Sequence, residues 1–463
     1  MNTICSERKA DDPREVEEVN EYTGTCFRVD ADFLTKCPFY SMNKLFFVTN
    51  FHVCDDADDR TVFLRTAAMG KSMFTAYVEA VVPKLDIGIL SIERGANHIR
   101  WFLPDSPEIH LDKLKQVSLY PKRVSSKTRK VSTIGFPQGL ENQLSSGWLA
   151  GRGTDDDEML QLNMSLNSGN SGGPLFDGKG NVIGVCTATL GDSEAISFAV
   201  PSFCVIKYFQ NFYTAPYGKF PQWGISLIPM TEAYQKVHKI RGCGAVVKSV
   251  HPASSAIDII KPGDVVHSIG GHDLDMFGLM VDNTRGSKIS IDNNEFIMGL
   301  EDAEVVFSRK STKKTVKLMP RPMNLKVSEN FKEWNPTKVA EFGPFVFQNL
   351  SINLMTSDEM PACKNLKLLE IVGSTKSMQE IVVISKIDPN SYIASLEIPQ
   401  AFDRVISINR KKINSIKTMK KVIAELKRMQ KDGEKYFNME TSSGKMWFSL
   451  NKVLTKKRKR NSN

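Results

Sequence analysis

A serine set among glycines, Asn167-Ser168-Gly169-Asn170-Ser171-Gly172-Gly173-Pro174-Leu175, constrains this chain more than any other stretch. Small residues bury little area, so core packing does not account for it. Glycine supplies backbone freedom and close approach. Such a turn can lift a hydroxyl into a cleft and leave bare amides beside it. A serine hydroxyl is a weak nucleophile at its free pKa and needs a base. The oxyanion formed when it attacks a carbonyl needs donors, each worth roughly 3–4 kcal/mol. A plain Gly/Ser loop between two strands would call for no histidine and aspartate in matching contexts upstream. Both are present.

Residues 45–52, LFFVTNFH, read as a strand end delivering His52 to a loop. LDIGIL at 85–90 puts Asp86 at the head of another short apolar strand. A carboxylate there is poorly solvated and wants a hydrogen-bonding or charged partner. Taken singly, His52 reads as a satisfied core or loop histidine and Asp86 as a turn residue. Taken with Ser171 they stand in the chain order His, Asp, Ser, that of the chymotrypsin-type proteases. His52, titrating near neutrality, would take the serine proton and return it to the leaving amine. Asp86 would fix the imidazole tautomer and stabilise the imidazolium. The amides of Gly169 and Ser171 would form the oxyanion hole.

These stretches resemble the Deg/HtrA serine proteases. The likeness is carried by VTNFHV at 48–53, LDIGIL at 85–90, STIGFPQGL at 132–140, LSSGWLAGRG at 144–153, LQLNMSLNSGNSGGPLFDGKGNVIGV at 160–185 and ISFAVPS at 196–202. From the residues alone, about 20–212 is a series of short β-branched and aromatic runs bounded by Gly, Asp, Pro and Asn, as in barrels or sandwiches. Pro201-Ser202 then opens a helix whose Val205, Ile206, Phe209 and Phe212 can pack back. The resemblance implies a mainly β fold: a chymotrypsin-like double barrel of six strands each, with the triad between the barrels. Phe51 departs from the family, which usually has alanine before the histidine, and a bulky ring there could displace His52. The acidic run Asp155-Asp156-Asp157-Glu158 reads as a solvated turn.

YTAPYGKFPQ at 213–222 is a linker by composition. Beyond it, 217–320 carries signatures similar to a PDZ domain: Gln222-Trp223-Gly224-Ile225, GAVVKSVHPASSA at 244–256 and IKPGDVVHSIGGHDL at 260–274. In that likeness Trp223, Gly224 and Ile225 form the loop whose backbone amides capture a peptide carboxylate while the peptide adds to a sheet edge. A second linker spans 320–338. Residues 339–454 repeat the pattern weakly, with a helix in which Met419, Val422, Ile423 and Leu426 share one face. The candidate carboxylate loop there, Pro344-Phe345-Val346-Phe347, has no glycine and loses an N–H at Pro344. A packing or assembly role is expected instead. A protease with two PDZ-like α/β modules, the second degenerate, looks most like the plant-type subgroup of Deg proteases.

The remaining expectations come from composition. The 463 residues allow roughly two to four domains. No apolar run reaches about 18 residues, so no membrane span is expected. Residues 1–19 read as a polar extension with neither signal nor transit character, which predicts an intracellular chain. The eight cysteines include no CxxC pair and the seven histidines do not cluster with them, so no structural metal is expected. Cys37 and Cys54 bracket the His52 strand, yet without a secretion signal reduced thiols are the default. Much of the net charge of +9 sits in the tail 455–463, at Lys456–Arg460. That run fits a solvated tail and a nuclear-import signal equally, leaving nucleus or cytoplasm open. It has no interleaved aromatics to stack nucleic acid. The family implies an ATP-independent endopeptidase for misfolded or regulatory proteins, without cofactor, preferring small aliphatic residues before the cut. It also implies a trimer or a multiple of one, with the first PDZ-like module gating or delivering substrate. Two rivals share the fold: a catalytically impaired peptide-binding scaffold or chaperone, which Phe51 keeps in play, and a dedicated processing protease, to which the basic tail points.

Overall fold

The computed structural model describes residues 2–6, 22–55, 57, 60–66, 74–94, 114–125, 128–136, 143–152, 159–167, 169–189, 196–214, 218–282, 287–300, 303–327, 336–356, 375–396 and 398–454. The acidic run at 155–158 and the basic tail lie outside them. The chain divides into two compact units, residues 1–250 with 254–323, and residues 251–253 with 324–463.

The first unit opens with two closed six-stranded barrels. Strands β1 (Asn2–Ser6), β2 (Tyr22–Arg28), β3 (Lys44–Thr49), β4 (Thr61–Thr66), β5 (Phe74–Val82) and β6 (Ile87–Glu93) close in the order β1-β2-β3-β6-β5-β4. Strands β7 (Arg129–Gly135), β8 (Gln143–Arg152), β9 (Leu160–Asn163), β10 (Pro174–Asp177), β11 (Val182–Thr189) and β12 (Ile196–Pro201) close in the order β10-β11-β12-β9-β8-β7. The fold is therefore the mainly β one expected. One expectation is corrected: part of the polar N-terminal extension supplies a barrel strand, because Asn2–Ser6 pairs with both β2 and β4. The segment is only five residues long and its partners lie far along the chain, so the polar character of the extension as a whole concealed it. β3 and β6 are buried on both faces apart from their ends, which explains their continuous apolar runs.

Helix α1 (Ser202–Asn211) follows β12 and buries Val205, Ile206 and Phe209, with Phe212 just beyond. The expected linker is pinned where it is described. The Gly218 amide donates to Val81 O at 2.7 Å, and Phe220 stacks on Tyr208. Strand β13 (Pro221–Gln222) pairs with β22 (Arg321–Pro322). Between these lie β14 (Ile225–Ile228), α2 (Glu232–His238), β15 (Ala245–Val250), β16 (Val265–Ile269), β17 (His272–Asp273), β18 (Leu279–Asp282), β19 (Ser287–Ser290), α3 (Asn294–Gly299), β20 (Glu304–Arg309) and β21 (Thr312–Lys317). The sheet runs β14-β15-β16-β20-β21, so β14 is an edge strand. One apolar core is continuous from the first barrel through α1 to this sheet, and α3 packs on α1. Arg123 adds a polar tie, donating to Glu295 O at 2.8 Å and lying over the Phe203 ring.

The second unit has its own core. Strands β23 (Val339–Phe342), β24 (Phe345–Asn349) and β25 (Val382–Ile387) form one sheet; β26 (Val405–Ile408), β27 (Lys411–Lys412), β28 (Tyr436–Thr441) and β29 (Gly444–Ser449) form another. The helices are α4 (Ile352–Met355), α5 (Ile416–Lys431) and α6 (Leu450–Leu454). Helix α5 is capped by Ser415, whose hydroxyl accepts the Thr418 amide at 3.1 Å. It buries Met419, Val422, Ile423 and Leu426, the expected face, together with Ile416.

Candidate active site

Asp86 sits where a one-turn helix (Pro83–Leu85) gives way to β6, in the left-handed region at φ 52°. That bend turns its carboxylate toward the end of β3. The His52 amide donates to Oδ1 at 3.0 Å, and the ring nitrogen Nδ1 stands 3.0 Å from Oδ1 and 2.8 Å from Oδ2. Asn50 Nδ2 holds the Asp86 carbonyl at 2.9 Å. With Nδ1–H donating to the carboxylate, Nε2 is left as the acceptor. The ring is half exposed, with 47% of the side chain open to solvent. Phe51 does not displace it: the phenyl ring is buried, and His52 still meets Asp86.

Burial alone would lower the His52 pKa. The hydrogen bond and charge of Asp86, reinforced by the charge of Asp55, outweigh it and hold the pKa above the ordinary value of 6.5. The nearby thiols are inert. Burial pushes Cys54 well above its usual range and Cys186 up to about 12. Cys37 and Cys54 are not bonded to each other.

The second barrel contributes the serine turn. Gly169 and Gly172 take φ +98° and +85°, values that favour glycine. At Gly172 a Cβ would lie 2.0 Å from Thr25 O, so no side chain fits there. The Gly172 amide donates to Cys186 O at 2.8 Å, and the Gly173 amide to Asn170 O at 3.0 Å. No hydrogen bond joins the Gly169 or Ser171 amide to another described residue. Ser171 is not bonded to His52: its hydroxyl donates to Thr187 O at 2.8 Å. The structure thus brings His52 and Asp86 together and turns the serine hydroxyl to a third group.

Two threonines were not found from the sequence. Thr187 donates its hydroxyl to Asp86 Oδ2 and presents its carbonyl to Ser171, joining both barrels. Thr25 bonds the serine turn directly. The only sequence signal is a polar residue inside an apolar strand run, which is too common to single either out.

The other candidate loop, Trp223-Gly224-Ile225, leads into the edge strand β14. Trp223 is fully buried, its indole N–H donating to Ile291 O at 3.0 Å and its carbonyl accepting Ser254 Oγ at 2.5 Å. Its side chain is core and offers no peptide contact. Gly224 has φ 63°, and the buried Ile225 begins the edge strand β14. In the second unit, Gly343-Pro344 is a two-residue turn with Phe342 opposite Phe345. β24 is paired on both sides, by β23 and β25, and α5 packs against β23 and β24. Both edges of β24 are therefore occupied by strands of the chain itself.

Residues 24–185 match the trypsin-like peptidase domain family. The periplasmic serine endoprotease DegP of Salmonella typhimurium is 29% identical over 263 residues, covering 54% of this chain and 51% of that protein. DegP of Escherichia coli is 29% identical over 249 residues, covering 51% and 48%. The chain thus spans about half the length of these curated relatives. Among solved structures, the HtrA-type protease AlgW with tripeptide superposes with a TM-score of 0.45 at 17% identity, over 69% of this chain and 92% of that one.

Proposed function

We propose that this chain, a homologue of the Deg/HtrA serine proteases, is an ATP-independent serine endopeptidase acting on misfolded or regulatory proteins. The observation that carries the reading is the 2.8 Å contact of His52 Nδ1 with Asp86 Oδ2, which leaves Nε2 free to accept a proton. Ser171 Oγ exchanges Thr187 O for Nε2 by rotating about χ1 between staggered wells. It then attacks the substrate carbonyl while its proton passes to His52, forming a tetrahedral adduct. The Gly169 and Ser171 amides receive the oxyanion. Collapse breaks the C–N bond, and His52 gives its proton to the departing amine. A water molecule repeats the sequence on the acyl-enzyme, releasing the acid and restoring Ser171.

The first sheet module is read as a PDZ domain that offers the β14 edge and the Gly224 and Ile225 backbone to peptide ends. Trp223 supports that loop from the core. The second is read as a degenerate PDZ-like module with a packing or assembly role, and the pair of modules after the protease is what likens the chain to the plant-type subgroup. A homo-oligomer, trimeric or a multiple of that, belongs to the same reading and is checked by light scattering. No helix among the described residues is long and apolar enough to cross a membrane. A fluorescent fusion with and without residues 456–460 separates an import signal from a solvated tail.

A fluorophosphonate probe and casein test the reading together. Labelling and cleavage in the wild type, both lost in Ser171→Ala, support it. The rival is a non-catalytic scaffold, favoured by the Ser171–Thr187 hydrogen bond. Folded protein that neither labels nor cleaves, with or without added peptide, would establish that rival.

A further inference from the structure

Thr25 lies in β2, on the first barrel, and is completely buried. Four bonds converge on it. Its hydroxyl donates to Gly169 O at 2.6 Å and accepts the Phe136 amide at 3.2 Å. Its amide donates to Ser171 O at 2.7 Å, and its carbonyl accepts Thr49 Oγ1 at 2.9 Å. One residue therefore grips the carbonyls of both residues whose amides are proposed to receive the oxyanion.

The consequence follows from peptide geometry. Each peptide unit is planar, so fixing a carbonyl fixes the plane that contains it. Thr25 Oγ1 fixes the Gly169–Asn170 plane. The Gly169 N–H lies one rotatable glycine away from that plane. Glycine has little torsional preference of its own, and Gly169 takes φ +98°, so its conformation depends on outside restraint. The Ser171 carbonyl, held by the Thr25 amide, fixes the other end of the turn. With donor and acceptor both satisfied, the threonine rotamer is itself locked.

We propose that Thr25 is a positioning residue for peptide hydrolysis: it holds the Gly169–Ser171 turn so that both amides point at the developing oxyanion. The role rests on the serine-endopeptidase reading. It also makes the oxyanion hole a joint product of the two barrels, because the serine turn takes its shape from a strand of the other one.

The test uses the full chain and a fluorogenic peptide taken from a mapped casein cleavage site, with active enzyme counted by fluorophosphonate titration. Thr25→Val keeps the side-chain volume and removes the hydroxyl. Losing an oxyanion donor outright costs about a hundredfold to a thousandfold in kcat, so misaiming one predicts a fall of about tenfold to a hundredfold with KM little changed. Thr25→Ser restores the hydroxyl and is expected to restore kcat. Thr25→Cys, with a weak donor in the same place, covers the case in which valine does not fold. A peptidyl trifluoromethyl ketone of the same sequence, whose adduct carries the oxyanion, should lose affinity in step with kcat/KM. A purely structural threonine would lower the melting temperature and leave these ratios unchanged. Folded Thr25→Val with wild-type kcat, or Thr25→Ser as impaired as Thr25→Val or Thr25→Cys, overturns the proposal alone. A wild type that neither labels nor cleaves overturns it together with the endopeptidase reading.

Discussion

His52 can act as a base only when neutral, so the acid side of the pH–rate profile reports its pKa. That pKa is raised, which places the acid limb above pH 6.5. Part of the rise comes from Asp55, which stabilises the imidazolium through its charge. Asp55→Asn removes a negative charge and should move the acid limb of kcat/KM to lower pH, with the alkaline plateau kept. A limb that stays put or moves upward contradicts this assignment. At this scale the sequence revealed the groups of strong chemical type in telling surroundings: a serine among glycines, a histidine at a strand end, an aspartate heading an apolar run. It did not reveal Thr25 or Thr187. A threonine in a β-strand is ordinary, and only the meeting of the two barrels gives each hydroxyl its partner across them.

Elements set where such groups stand. The turn Lys261-Pro262-Gly263-Asp264 shows how one residue can hold two of them. Asp264 is buried beside β16 and accepts from Arg309 of β20 through two bonds, Nε at 2.9 Å and a terminal nitrogen at 2.7 Å. It also accepts the Lys261 amide at 2.8 Å, closing the turn. Arg309→Ala would strand a buried carboxylate, and the expected loss is about 3–5 kcal/mol, read as a lower urea midpoint with unchanged slope. A midpoint within error of wild type would mean that water replaces the guanidinium. Pro-Gly-Asp is a local turn signal written along the chain; its ion pair is not, because Arg309 is distant in the chain. The same holds for β1, a five-residue segment whose strand pairing with two neighbours comes from residues distant in the chain.

At the scale of the molecule the two units carry separate cores, and stability and chemistry should separate with them. Leu426 is buried in the second unit among Phe345, Phe347 and Met419. Leu426→Ala should destabilise that unit by about 2–5 kcal/mol, visible as an earlier transition in calorimetry, while peptide hydrolysis at 25 °C is unchanged. A proportional loss of hydrolysis would show that the second unit supports the active site. The sequence by itself determined the strand-rich fold, the helix face on α5 and the positions of the three candidate catalytic residues. Periodicity, glycine spacing and residue chemistry are local properties, written along the chain. Only the tertiary structure decided that Ser171 rests on Thr187, that Thr25 grips the serine turn, that Trp223 belongs to the core and that β23 closes the edge of β24. Each depends on which residue meets which across long stretches of chain, and that is settled by packing.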